Sequence, residues 1–137
     1  MSFDITRRIR FADVDPAGIV FYPRYFEMIN AVIEDWFEQG VGYGFDAMIL
    51  KGPHGVPLAH MEAEFKAPSR LDDTLVFSLV VRDLGRSSIW LTLTARCGDE
   101  VRMVARPTLV FIDQTAHKPV SIPAALRTRM LDYREAA

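Results

Sequence analysis

The 137-residue sequence is poor in several features, and each shortage narrows the reading. It has one cysteine, Cys97, so no internal disulfide framework exists, and a lone thiol suits a reducing compartment such as the cytoplasm. No apolar run approaches the ~20 residues that span a bilayer. The opening stretch, "MSFDITRRIRF", carries charges where a signal peptide needs an apolar centre, so neither membrane insertion nor export is expected. Basic excess is lacking too. Sixteen Lys and Arg stand against eighteen Asp and Glu, a net charge of −2, so there is nothing to neutralise a phosphate backbone and nucleic acid is not an expected partner. An anionic ligand has to be met by local groups. The three histidines, His54, His60 and His117, have no ligand-like spacing with Cys97, and neither a Gly-x-Ser-x-Gly elbow nor a P-loop occurs. Repeats, low-complexity tracts and linkers are missing. Half of the residues are hydrophobic, which at this length predicts a single domain over 1–137 with a core of its own.

What is present divides by period. Phe3, Ile5, Ile9 and Phe11 alternate loosely and predict a strand over 3–11, which Arg7, Arg8 and Arg10 mark as an edge. From Tyr25 the apolar positions Ile29, Val32, Ile33, Trp36 and Phe37 follow helical spacing, with Glu27, Asn30, Glu34 and Glu38 on another face. Pro23 suits the first turn of that helix, and Gly40 suits its stop. Residues 45–51 predict one further short helical piece. Beyond Val56 the period becomes two. Leu75, Phe77, Leu79 and Val81 alternate with more polar neighbours, as do Ile89, Leu91, Leu93 and Ala95. "LGRSS" at 84–88 and "CGDE" at 97–100 punctuate hairpins, so these strands form an antiparallel meander. Pro107 cannot donate to a ladder, which predicts an edge or a bulge in the strand over 101–112. "SIPAALRTRML" predicts a terminal helical turn. One apolar-faced helix needs a sheet to cover it, so the class is α+β, with a long helix wrapped by five antiparallel strands.

The chemistry-bearing stretch is "FADVDPAGIVFYPRYFEMIN", residues 11–30, where two aspartates precede an unusually apolar run. Asp13 is assigned to ordering the turn, as Asp near Pro commonly does. Asp15 is the candidate for chemistry. Gly18 lets backbone approach a ligand, and no Ser, Thr, Asp or Asn precedes Pro23 to occupy the free N–H groups of the helix start. A carboxylate beside open N–H donors and a helix N-terminus can serve attack on a carbonyl, because those donors stabilise the negative charge that develops on its oxygen. His60, Glu62 and Glu64 share one face of a strand and are read as a polar sheet edge or intersubunit contact. The aromatic stripe of Tyr25, Trp36 and Phe37 is read as core.

The segment "DVDPAGIVFYPRYFE" resembles the signature of the hot-dog-fold acyl-CoA thioesterases, most closely the 4-hydroxybenzoyl-CoA thioesterase family. The likeness continues more weakly through "AEFKAPSRLDDTL" and "LGRSS". It implies one helix wrapped by a curved five-stranded antiparallel sheet, and protomers paired as a homodimer or homotetramer with active sites at the dimer interface. Asp15 then takes the place of the catalytic carboxylate, as nucleophile or as general base, and the backbone N–H near Tyr22 that of the carbonyl-polarising group. Arg86, Ser87 and Ser88, with Lys66 and Arg70, become candidates for contact with CoA. Coenzyme A enters as part of the substrate, with no metal and no further cofactor. Asn30 falls where a polar acyl substituent would be sensed.

Three functions are therefore weighed. The first is hydrolysis of an acyl-CoA thioester to a free acid and CoA. A hydratase or dehydratase on the same fold would need a histidine close to Asp15, and His60 is the one to watch. A non-catalytic acyl-CoA or acyl-carrier binding module would bind without turnover.

Overall fold

Alternation of apolar and polar residues decides the main sheet. In the computed structural model, which describes residues 1–136, five strands pair antiparallel: β1 (Phe3–Arg8), β3 (Leu58–Phe65), β4 (Thr74–Leu84), β5 (Ser88–Cys97) and β6 (Glu100–Val110). The short β2 (His54–Gly55), β7 (Ile112–Asp113) and β8 (Lys118–Pro119) form a separate small sheet. The main order is β1-β4-β5-β6-β3, so β4, β5 and β6 are the predicted meander and β1 and β3 are its edges. Leu75, Phe77, Leu79 and Val81 of β4 are buried with Ile89, Leu91, Leu93 and Ala95 of β5, on the single face that their period of two creates.

Helix α1 (Pro23–Asp35) lays Tyr25, Met28, Ile29, Val32 and Ile33 on that face. Pro23 occupies its first turn, where a missing N–H costs nothing. The helix does not stop at Gly40. It widens into a π-helical stretch, Trp36–Val41, and ends at Gly42, which adopts a left-handed φ of 83°. Gly40 is glycine for another reason: a Cβ there would lie 2.7 Å from Cδ1 of the fully buried Trp36. A second π-helical turn, Asp46–Lys51, and a C-terminal helix α2 (Ala124–Leu131) complete the predicted helical pieces. Arg129 of α2 donates to the Gly40 carbonyl at 2.9 Å and ties the C-terminal helix to the end of the central one.

Two further expectations are corrected. The first strand ends at Arg8, and residues Phe11–Asp13 form a 3-10 turn, so Ile9 is buried from a connection rather than from a strand. Pro107 lies neither at an edge nor at a bulge: β6 runs between β5 and β3, and Pro107 stands opposite Met61. The β5–β6 ladder skips from the Trp90–Thr108 pair to the Leu93–Ala105 pair, so the proline falls at rungs where no partner on β5 is paired. The exposed edge is β3, most of whose residues face solvent.

Candidate active site

Residues 14–20 form a tight loop closed by an antiparallel bridge between Val14 and Val20. Inside it the Asp15 N–H donates to Ile19 O at 2.9 Å and the Gly18 N–H to Asp15 O at 2.9 Å. Gly18 has a φ of 79° with open space around its Cα, so the glycine serves the turn's backbone rather than a close approach. A second bridge, Ile19 to Arg70, and a bond from the Val20 N–H to Ser69 O at 2.8 Å fasten the loop to the segment before β4.

The two aspartates have different surroundings. Asp13 is buried, accepts the Arg10 N–H on Oδ2 at 2.9 Å, and has Arg7 3.8 Å from Oδ1. Both its oxygens are engaged in holding the turn. Asp15 is half-buried and accepts the Ala17 N–H on Oδ1 at 2.9 Å, while Oδ2 has no protein partner among the described residues. One oxygen is fixed by this bond, and the other is open. Asp15 lines a small cavity of about 280 Å³ with Val14, Phe21 and Arg24.

No side chain caps α1. Pro23 has no N–H, the Arg24 N–H reaches Phe21 O at 2.8 Å, and the Tyr25 N–H reaches Tyr22 O at 3.1 Å. The Tyr22 N–H is left without a protein partner among the described residues, at the positive end of the helix dipole. A cavity of about 470 Å³ opens beside it, walled by Ile19, Val20, Tyr22, Tyr25, Phe65 and the Lys66–Ser69 segment. Phe65 packs edge-on against Tyr22 at 6.4 Å and tilted against Tyr25 at 5.5 Å between ring centroids, which makes that wall aromatic.

The floor of this cavity is polar. The Tyr25 hydroxyl bonds Ser69 Oγ at 2.8 Å, and both residues are buried. Burial raises the Tyr25 pKa above the ordinary phenol value, so its hydroxyl is neutral at physiological pH. Arg102 of β6 approaches Ser69 Oγ at 3.3 Å, donates to Pro68 O at 3.0 Å and meets Asp73 Oδ2 at 2.8 Å. The Arg102 guanidinium and the Arg70 N–H hold the Asp73 carboxyl below its usual range. Glu100 stands 2.5 Å from Arg102 Nε, off the line of a hydrogen bond. Sequence reasoning assigned Tyr25 to the core. Nothing in the local pattern announces a bond to Ser69, 44 positions away.

The remaining candidates fall in two places. Lys66 lines the cavity beside Tyr22, and Arg70 bridges the Asp15 loop, so these two cations share the end of the sheet where Asp15 and Tyr22 lie. Arg86, Ser87 and Ser88 occupy the β4–β5 turn at the other end, roughly 30 Å away by the length of β5 at ~3.3 Å per residue. There Arg86 donates through Nε to Ser121 Oγ at 2.8 Å. One protomer does not bring the two groups together. His60, Glu62 and Glu64 project from the face of β3 opposite to Met61 and Ala63, which pack on the core. His60 lies 3.6 Å from Glu62 and faces away from the helix, so it does not approach Asp15.

A helix embraced by a curved five-stranded antiparallel sheet, with an uncapped helix start beside a carboxylate loop, is the hot-dog fold. The chain belongs to the Thioesterase-like superfamily, whose family model matches residues 9–130. It is 30% identical over 88 residues to the 4-hydroxybenzoyl-CoA thioesterase of a Pseudomonas species, a match covering 64% of this chain and 62% of that enzyme, a little under two thirds of its length. It is 24% identical over 122 residues to the 1,4-dihydroxy-2-naphthoyl-CoA hydrolase of Synechocystis, covering 89% of this chain and 83% of the relative. The crystal structure of a 1,4-dihydroxy-2-naphthoyl-CoA thioesterase from Synechocystis superposes with a TM-score of 0.87 over 96% of this chain and 97% of that one, at 22% identity.

Proposed function

We propose that this protein hydrolyses an acyl-CoA thioester to a free carboxylic acid and CoA. The observation that carries the reading is the succession of an oriented carboxylate, Asp15, in the 14–20 loop and the unoccupied Tyr22 N–H at the helix start that follows that loop. The thioester carbonyl oxygen accepts the Tyr22 N–H, and the helix dipole stabilises the charge that grows on it as the carbon becomes tetrahedral. Two routes use Asp15. As nucleophile, its free oxygen bonds to the carbonyl carbon, the C–S bond breaks to release CoA thiolate, and water then cleaves the mixed anhydride. As general base, it takes a proton from water while the oxygen of that water bonds to carbon, and the thiolate leaves and is protonated. Both consume one water and need Asp15 ionised.

Exposed apolar surface at both ends of β3 supports an assembly of protomers. Phe21, Tyr22, Phe26 and Phe65 are 37–62% exposed at one end, and Ile49, Leu50 and Leu58 are 39–81% exposed near the other. Antiparallel pairing of β3 with its copy across a twofold axis would lay one cluster on the other and satisfy the open edge. The same operation would bring the partner's Arg86, Ser87 and Ser88 towards the end where Lys66 and Arg70 lie, which supports a CoA site shared between protomers of a homodimer or homotetramer. The hydratase reading lacks its histidine, because β3 pairing keeps His60 on the outer face of the sheet.

Thiol release from a panel of aryl, short-chain and long-chain acyl-CoAs tests the function. Turnover of at least one thioester is expected, and Asp15→Asn is expected to lower it by at least ~10²-fold, the lower range for a positioned acid-base group. Near-normal turnover by a folded Asp15→Asn protein would falsify the assignment of Asp15.

A further inference from the structure

We infer that Arg24 is a positioning residue for the reaction: it keeps the Asp15 carboxylate ionised after a bound thioester has driven water from the cavity that the two side chains share. The inference deepens the thioesterase reading and rests on it for the role of Asp15.

The case begins with the lining of that cavity. Its walls are Ala12, Val14, Pro16 and Phe21, and Asp15 and Arg24 are the two charged side chains in it among the described residues. Arg24 is not spent on Asp15. Its Nη1 donates to Glu27 Oε1 at 2.7 Å and lies 3.3 Å from Oε2, one turn further along α1, and Glu27 does not line the cavity. Glu27 therefore holds the arginine from outside, while Nε and Nη2 donate to no protein acceptor among the described residues. The other charges near the loop are engaged elsewhere. Asp13 takes the Arg10 N–H and faces Arg7, Arg70 meets the loop through its backbone at Ile19, and Lys66 lines the separate cavity beside Tyr22. None of them lines the cavity of Asp15.

Water is the reason that a cation is needed there. In the free protein Asp15 is half-buried, and hydration of its open oxygen carries the charge. A thioester whose carbonyl lies at the Tyr22 N–H, next in sequence to Phe21 of the wall, displaces that water, and the four apolar walls give nothing in exchange. Desolvation favours the protonated carboxyl, which can neither attack the carbonyl nor take a proton from water. The Ala17 N–H and the helix start oppose this with partial charges. Arg24 opposes it with a full one. A volume of about 280 Å³ is roughly 8 Å across, and over such a range in a water-poor site one unit charge moves a carboxyl pKa by about one unit once screening is allowed for.

The test records kcat against pH for the parent, Arg24→Met and Arg24→Lys, with a thioester that the parent hydrolyses. The acidic limb of kcat reports protonation of the reacting carboxylate in the substrate complex. Arg24→Met is expected to move the midpoint of that limb up by about one pH unit, and Arg24→Lys, which keeps the charge, to hold it at the parent value. An arginine with a merely structural role would scale the whole profile and leave its midpoint in place. The same shift is read without turnover from the carboxyl carbon NMR titration of Asp15 in protein saturated with phenacyl-CoA, a thioether that cannot be hydrolysed. A parent that hydrolyses no thioester, yet whose bound-state Asp15 titrates about one unit higher in Arg24→Met, would sink the hydrolase reading and uphold the coupling. A parent that neither hydrolyses a thioester nor binds the thioether would sink both. Midpoints moved by less than about 0.3 unit in folded Arg24→Met, or moved equally far by Arg24→Lys, would overturn the inference, leaving the hydrolase reading intact and Arg24 as an ordinary surface partner of Glu27.

Discussion

Arg102 and Asp73, 29 residues apart, meet at 2.8 Å beneath the cavity beside Tyr22, and the same guanidinium holds the Pro68 carbonyl. Three stretches of chain converge at this cation: the start of β6, which carries it, the Pro68–Ser69 segment and the lead into β4. The site's aromatic cavity therefore stands on an ion pair, and the stability of the two should be linked.

Asp73 has a lowered carboxyl pKa in the folded protein, caused first by the Arg102 hydrogen bond. A depressed carboxyl pKa stabilises the fold above its unfolded value, near ~3.9, and that stabilisation is lost as pH falls through the lower folded value. Arg102→Leu removes the cation and leaves Asp73 with only the Arg70 N–H and Ser69 with only the Tyr25 hydroxyl. A loss of about 2 kcal/mol at neutral pH is expected, seen as a melting temperature several degrees lower. The difference between parent and variant should shrink as pH is taken below about 4, where the unfolded chain's carboxyl protonates, and vanish once the folded one does too. Equal acid sensitivity of the two proteins would disconnect Asp73 from Arg102.

Gly18 tests the loop that presents Asp15. Its φ of 79° is costly for any residue with a Cβ, yet the space around it is empty. Gly18→Ala should therefore cost about 1 kcal/mol through conformation alone. Gly18→Asn should cost less, since asparagine tolerates the left-handed region. Chemical denaturation separates the two, and equal losses would point to a steric cause that the structure does not contain.

How far local pattern reaches is visible in particular residues. The spacing of Tyr25, Ile29, Val32, Ile33, Trp36 and Phe37 gives α1 because a helix buries one stripe, and all six side chains are buried. The meander is equally plain from Leu75 to Ala95, since consecutive strands joined by short turns pair with each other. Sheet order beyond the meander is not local. Pro107 was expected at an edge or a bulge, yet β3 crosses over to become the edge outside it, and only that crossover shows the proline to be interior. The same limit hides the polar floor: Tyr25 fits an apolar stripe by spacing, and its hydroxyl finds Ser69, to which Arg102 also donates, only after the sheet has formed. The proposal for Asp15 could be drawn from sequence because loop, glycine and helix start are contiguous there.

Asp13 and Asp15 should separate stability from turnover. Asp13 is 7% exposed with both oxygens engaged, so Asp13→Asn replaces one acceptor by a donor facing Arg7 or the Arg10 N–H. A loss of about 1–2 kcal/mol in unfolding free energy is expected, with activity following the folded fraction. Asp15→Asn keeps an acceptor for the Ala17 N–H and should melt within about 0.5 kcal/mol of the parent. Denaturation curves recorded alongside thiol release decide the matter; a strongly destabilised Asp15→Asn would move Asp15 to the structural side.

Arg86 lies at the opposite end of β5 from Asp15, and this separation yields a test of assembly and function together. If each site takes Asp15 from one protomer and Arg86 from its partner, Arg86→Ala should raise KM for CoA thioesters more than it lowers kcat, because a remote phosphate contact contributes uniform binding. Pantetheine thioesters, which lack those phosphates, should be unaffected. The decisive arm mixes Arg86→Ala with Asp15→Asn protomers, unfolded and refolded together, and assays at thioester concentrations far below the raised KM. Random pairing gives mixed dimers in which one site carries both defects and the other neither, so about a quarter of all sites should be intact. Activity well above the sum of the two separate variants is the expected outcome. A mixture no more active than that sum, from protein that sediments as a dimer, would mean that Asp15 and Arg86 do not serve one site across the twofold axis.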